Sequence, residues 1–274
     1  MTISEDEILN FLRKNTQLLE EGNFDELYRL LFVEKKVGAQ ADLTSFLLKA
    51  GINPLEYLTA IPDYYMCDTN EITKLDVPEN IKSIGYKAFA LCTKLSRVTL
   101  PQELQIIDKY AFAECYSLRN IVIPGSVRII GEGAFENCAN LENITINEGV
   151  RKIAADAFNN CSSLKNVTIP GSAYINASAI FLRCRSLESV VLNDGITRIG
   201  PYTFRGCHDL ESITIPSSVR SIYLAALSFC KNLKTIYYRG TKAQWKNILF
   251  DSKWDYNSGE YTIHCQDGIL QKGE

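Results

Sequence analysis

The chain has 274 residues, 46% of them hydrophobic and 22% charged, with a net charge of −3. That balance is ordinary for a globular protein with a substantial core, and it argues against general nucleic-acid binding, which needs a strongly basic face. No uninterrupted apolar run approaches the roughly 20 residues of a membrane-spanning helix, and the start, Met1-Thr2-Ile3-Ser4-Glu5-Asp6-Glu7, is acidic where a secretion signal would be basic and then apolar. The expectation is therefore a cytoplasmic protein with no membrane partner.

The charge is unevenly placed. Residues 1 to 69 hold 12 Asp and Glu against 6 Lys and Arg, and the remainder holds 20 against 23. The acidic part, residues 1 to 66, reads as a small helical module. Ser4 and Glu7 form a capping box ahead of Ile8, Phe11, Leu12, Leu18 and Leu19, and Gly22 then breaks the chain. Asn23 can cap a helix from Phe24 to Lys36, Asp42 precedes another from Leu43 to Ala50, and Gly51 with Asn53-Pro54 marks a stop and a new start.

From about residue 67 the sequence repeats every 23 residues. The core is Leu95-x-x-Val98-x-Leu100, and it returns at Leu118, Leu141, Leu164, Leu187, Leu210 and Leu233, with an earlier copy at Ile72-x-x-Leu75-x-Val77. A period of 20 to 29 residues with this core marks a leucine-rich repeat. The apolar residues two apart predict a short strand with those side chains inward. Pro78, Pro101, Pro124, Pro170 or Pro216 ends it, since proline offers no backbone donor. A second apolar pair follows, such as Val127 with Ile130, then a helical turn is expected with Ala-Phe facing the core, as at Ala88-Phe89 and Ala111-Phe112. Such a coil cannot bury its apolar residues alone, so stacking is what stabilises it.

Seven of the nine cysteines, from Cys92 to Cys230, keep the same period, which predicts a buried, reduced column because free cysteine behaves as a small hydrophobe. The tail from residue 240 predicts a cap: a helix from Thr241 to Phe250 opened by a Thr241/Gln244 capping box, with Trp245, Trp254, Tyr256 and Tyr261 as apolar cover. The fold class is thus an α/β solenoid of seven to eight coils over residues 67 to 239, between an N-terminal helical module at 1 to 66 and a C-terminal cap at 240 to 274.

The pattern "IPGSVRIIGEGAFENCANLENITI" closely resembles the BspA-type leucine-rich repeat, and "IYYRGTKAQWKNILFDSKWDYNSGEYTIHCQDG" resembles the segment that often closes such arrays. The resemblance covers about residues 70 to 268. It implies a surface adhesion or recognition protein of a host-associated microbe, or an array of the kind found in mobile genetic elements.

On the strands, the residues alternating with the inward pairs are expected on a concave face. One column holds Thr99, Val122, Thr145, Thr168, Val191, Thr214 and Tyr237, and the next includes Asn120, Asn143 and Asn166. This surface is uncharged and short-chained, which suits a flat protein contact. A second candidate is a basic stripe of Lys82, Arg128, Arg151, Lys152, Arg198 and Arg220, fit for a small anionic ligand or nucleotide. The repeat "GSAYINASAIFLRC" departs from the rule with Ala173, Asn176 and Ile180, and a local shift is expected there around Tyr174, Asn176 and Arg183.

Catalysis is not expected, and neither a cofactor nor a metal site is. The two histidines, His208 and His264, lie on different repeats, and there is no C-x-x-C, H-E-x-x-H or Gly-rich phosphate loop. Of the adjacent pairs, His264-Cys265 in the tail strand is the one worth checking for metal binding or catalysis. The sequence therefore points to a non-catalytic protein-binding module. The alternatives are an intracellular inhibitor, phage- or mobile-element-encoded, of a host enzyme or defence complex; an anionic-ligand binder along the stripe; and a cell-surface adhesin.

Overall fold

The structure, a computed structural model, describes residues 58 to 274 together with Lys14 and Leu55. The helical module expected over the N-terminal residues otherwise lies outside the described residues. From Ala60 on, the chain winds as a three-sided solenoid in which every coil lies one repeat along from the last.

The first side is a ten-stranded sheet. It runs in chain order from Lys74–Asp76 through Arg97–Thr99, Asn120–Ile123, Asn143–Ile146, Asn166–Ile169, Ser189–Leu192, Ser212–Ile215 and Thr235–Tyr238 to Thr262–Cys265, and ends at Gly268–Gln271. Every pairing is parallel except the last, which is antiparallel. Ile121, Ile144, Val167, Val190, Ile213 and Ile236 point inward and are buried, as β-branched residues alternating with polar ones require.

The second side is built from two-residue strands. Ala60–Ile61, Ser83–Ile84, Ile106–Ile107, Ile129–Ile130 and Lys152–Ile153 form one parallel sheet, and Arg198–Ile199, Ser221–Ile222 and Leu249–Phe250 form another. Ala60–Ile61 pairs in register with Ser83–Ile84, and Ile61, Tyr65 and Met66 are buried. The solenoid therefore begins by Ala60, earlier than the boundary expected at residue 67, because Ile61 already supplies an inward residue to the stack.

The third side carries the Ala-Phe segments and corrects the expected helical turn. Tyr110 and Glu114 have φ of 56° and 60°, left-handed values that a helix does not use. Each such residue turns its peptide along the stack, so Tyr110, Phe112 and Glu114 donate their N–H groups to Glu132, Ala134 and Glu136 of the next coil at 2.8–2.9 Å. The intervening Ala111 and Ala113 close four-residue turns onto the carbonyls of Asp108 and Tyr110. All three sides are thus tied sideways by backbone hydrogen bonds, which satisfies groups that burial would otherwise strand.

Inside, repetition becomes stacking. Phe89, Phe112, Phe135, Phe158, Phe181 and Phe204 form a ladder of rings with centroids 5.2–5.6 Å apart and planes 6–11° from parallel, the offset arrangement that aromatic quadrupoles favour. Beside it, each cysteine from Cys92 to Cys230 is fully buried and free. Its thiol donates at 3.1–3.3 Å to a backbone carbonyl of the preceding coil, as Cys138 does to Phe112 and Cys161 to Phe135.

The irregular repeat shifts as the sequence suggests. Lys152 bridges to Tyr174, a step of 22 residues, and Gly200 donates to the Ile175 carbonyl, whereas Gly131 donates to Ile107. In strict register Asn176 would occupy the inward position and bury an amide, at a cost of about 1–3 kcal/mol. The slip brings Ile175 into the core, leaves Asn176 half-buried, and lets its amide donate to the Tyr174 hydroxyl. The second side breaks into two sheets at this point.

At the C-terminus the capping box forms as expected, with Thr241 accepting from the Gln244 N–H and the Gln244 side chain accepting from Thr241. The helix spans only Lys242–Lys246, however, because Leu249–Phe250 leaves it to pair with Ser221–Ile222. Trp245 is buried against Tyr238, Phe250 and Trp254, and Tyr261 against Trp254, so these residues cover the last coil. Tyr256 does not join them; it is 56% exposed, with its ring edge-on to Phe229.

Phe158→Ala should lower the unfolding free energy by about 3–5 kcal/mol, since it leaves a cavity and removes two ring contacts. Val122→Ala on the sheet exterior should change it by less than about 0.5 kcal/mol. Urea unfolding of both variants checks the difference.

Candidate functional site

The outer face of the ten-stranded sheet is built by register. Thr145 lies beside Val122, Val191 beside Thr168, and Tyr237 beside Thr214, and His264 follows Tyr237. The neighbouring column runs Asn120, Asn143, Asn166 and Ser189. Within it the amide of Asn143 donates to Asn120 at 2.8 Å and the Ser189 hydroxyl to Asn166 at 2.6 Å. These bonds hold the polar tips in line and leave a flat surface.

The structure places Thr99, Asn120, Val122, Asn143, Thr145, Asn166, Thr168 and Tyr237 on this face as exposed residues, with Val191 and Thr214 half-exposed. Asn143, Thr145, Asn166 and Thr168 line one shallow hollow of about 400 Å³. The charged residues of these two columns, Lys74, Asp76 and Arg97, sit on the first strands, so the middle is neutral. At the far end Tyr237 lies edge-on to the His264 ring at 5.5 Å, and His264 Nε2 is 3.0 Å from the Thr262 hydroxyl.

The chain matches the BspA type Leucine rich repeat region in six copies, over residues 59–184 and 173–258. The chain belongs to this family. Among solved structures, this BspA-type protein is similar to the leucine-rich repeat protein TpLRR of T. pallidum at 27% identity and a TM-score of 0.53, over 70% of this chain and 77% of that one. It is similar to a leucine-rich cell-surface protein of Faecalibacterium prausnitzii A2-165 at 28% identity and 0.36, over 68% and 64%. A leucine-rich repeat protein of Bacteroides ovatus follows at 24% and 0.43, over 66% and 59%. The comparison with curated proteins gave no match.

The six cations proposed as a stripe do not form one surface. They fall in two columns on the second side, interrupted by Gln105, Tyr174 and Thr197, and the sheet beneath them breaks at the irregular repeat. Lys82 pairs with Glu103 at 3.7 Å, and Arg220 donates to the Ser217 and Val219 carbonyls. Among the described residues Arg128, Arg151, Lys152 and Arg198 have no ion-pair partner.

His264 and Cys265 are successive strand residues and so take opposite faces: the histidine ring lies over Tyr237 outside, and Cys265 packs against the core. Among the described residues no group of three or more His, Cys, Asp or Glu is placed to hold a metal ion, and no helix is long and apolar enough to cross a membrane.

Burial pushes the thiols of Cys92, Cys138, Cys184 and Cys230 up to about 12 and raises Cys115, Cys161 and Cys207 as well. On the third side, burial and then a neighbouring carboxylate, Asp156 for Glu136 and Glu132 for Asp156, raise the carboxyls of Glu136 and Asp156. Sequence reading did not single out Arg205 and Phe229 on that side. The readable signal was the 23-residue column in which Glu136 and Asn159 give way to Leu182 and Arg205.

Because the thiolate is the reactive form, a thiol-disulfide reagent at pH 8 should titrate only the half-buried Cys67 and Cys265 of the native protein. The other seven should react only after denaturation, and prompt labelling of more than two would contradict a buried column.

Proposed function

We propose that this protein is a non-catalytic binding scaffold that engages a protein partner across the outer face of the ten-stranded sheet. The observation that carries this reading is the neutral middle of that face, from Asn120 to Thr214, where short polar and β-branched side chains stand in register on a continuous backbone ladder. Ten strands at about 4.8 Å span roughly 43 Å, long enough to receive a protein surface, and the shallow hollow at Thr145 and Thr168 offers little enclosure for a small molecule. The family commonly gives protein-interaction or surface-associated scaffolds, and the same face would serve inside the cell or on its surface. In a finer form of this reading the partner is an enzyme or defence complex that the bound solenoid inhibits.

A second reading is supported by Arg128, Arg151 and Lys152, cations on neighbouring coils before the sheet break and without an ion-pair partner among the described residues, which would suit a small anionic ligand. A thermal shift of the purified protein with nucleotides and inorganic phosphate, absent in Arg151→Ala/Lys152→Ala, would favour it.

The main reading is tested with Thr145→Arg/Thr168→Arg. The two changes lie on the solvent side of the strands, so the circular dichroism spectrum should match wild type. Capture of the partner from source-cell lysate should fall at least about tenfold, and any inhibition should be relieved with it. Undiminished capture by the variant removes the sheet face from the account.

A further inference from the structure

The third side of the solenoid changes character along its length. Over the coils from Tyr110 to Asn160 it is acidic, with Glu114, Glu132, Glu136 and Asp156, of which Glu132 is paired, to Lys109 at 3.2 Å. From Ala179 onward the same periodic positions turn apolar and cationic. Here two adjoining hollows of about 530 and 160 Å³ share Leu182, Arg205 and Phe229 in their walls. Tyr202, Leu224 and Tyr256 extend the apolar floor of the larger, and Arg183, Arg185 and His208 edge the smaller.

Three features separate this groove from ordinary solvated surface. Its aromatic side chains are left accessible beside cations: the Arg205 guanidinium lies 5.2 Å from the Phe229 ring and 5.9 Å from Tyr202, and Lys253 lies 6.0 Å from Tyr256. Neither hollow has an Asp or Glu in its wall. Among the described residues, Arg183, Arg185, Arg205 and Lys253 form no ion pair, although Lys109, Arg119 and Lys234 elsewhere on the solenoid each find a carboxylate within 3.2 Å. An apolar floor rimmed by uncompensated cations calls for an occupant with an apolar body and negative charge. The larger hollow suits one or two large side chains, not a folded surface, which points to an extended segment.

We infer that this groove is a docking site for an acidic peptide segment of a partner protein, with an aromatic or large aliphatic side chain seated against Phe229 and Tyr256 and its carboxylates facing Arg183, Arg185 and Arg205. Charge complementarity selects this occupant, and salt should weaken it because the rim cations are exposed. The site lies on a different side of the coil from the sheet face, so each surface stands or falls by its own variants.

The test is selection of a displayed random 12-residue peptide library on the immobilised full-length protein. Fluorescence polarisation of an enriched peptide then follows on wild type, Arg205→Glu, Arg183→Ala, Phe229→Ser and Thr145→Arg/Thr168→Arg. The expected result is enrichment of sequences that place Asp or Glu around Phe, Tyr, Trp or Leu. Binding should weaken at least about tenfold in Arg205→Glu and Phe229→Ser, less in Arg183→Ala, fall with added salt, and remain unchanged in the sheet variant. Arg183→Ala guards against a folding defect, since it removes only an exposed side chain. No enrichment, enrichment of neutral or basic peptides, or binding indifferent to all three groove variants overturns the proposal. So does a wild-type dimer in sedimentation that Arg205→Glu dissolves, since the occupant would then be a second copy of this chain.

Discussion

The whole solenoid depends on one constraint: each coil must return its backbone to the same place beside the last, so that N–H and C=O groups on all three sides meet those of the neighbouring coil. A 23-residue period meets it. The long sheet, the two-residue strands and the left-handed turns are three ways of aiming amides along one axis, and the Tyr110, Phe112 and Glu114 donors show that even the turn side takes part. Once the backbone is so fixed, equivalent side chains stack whether or not they attract. The interior therefore selects residues that stack well, with flat rings at Phe89 to Phe204 and small, polarisable thiols at Cys92 to Cys230.

The same constraint divides the molecule into a fixed interior and a free exterior. Outward positions are carried in register but are not required to match, so their chemistry can drift from coil to coil without loss of core. The sheet exterior has become neutral through its middle, and the third side passes from Glu136 and Asp156 to Arg205 and Lys253 within a few coils. At Asn176 the order of priorities is visible: a polar residue at an inward position moved the backbone by one residue, and the second sheet parted there while the phenylalanine ladder kept its step from Phe158 through Phe181 to Phe204.

Most of the architecture was legible because the repeat makes one observation many times. The inward strand residues, the buried cysteine column, the capping box at Thr241 and Gln244 and the disturbance near Tyr174 all follow from period and residue type. The Ala-Phe turn was misread as helical because Ala, Phe and polar residues at that spacing also suit a helix. What decides against it is the left-handed backbone at Tyr110 and Glu114, which ordinary residue types do not announce. Leu249–Phe250 was drawn into the cap helix for a related reason: its pairing with Ser221–Ile222 joins residues 28 apart, outside the period. The exterior was legible only as columns. Their membership could be read, but the gap beneath the basic stripe and the groove at Phe229 required the coils to be assembled.

Native-state amide hydrogen exchange tests the central claim most directly, because it reads the backbone ladder on the side where the sequence suggests isolated turns. The account predicts that the amides of Phe112, Glu114, Phe135 and Phe158 exchange as slowly as those of the sheet strands Asn120–Ile123 and Asn143–Ile146, with faster exchange around Asn176 where the register slips. Exchange of the Phe112, Phe135 and Phe158 amides at the rate of unprotected loop amides would mean that the third side is not tied coil to coil, and would contradict the account.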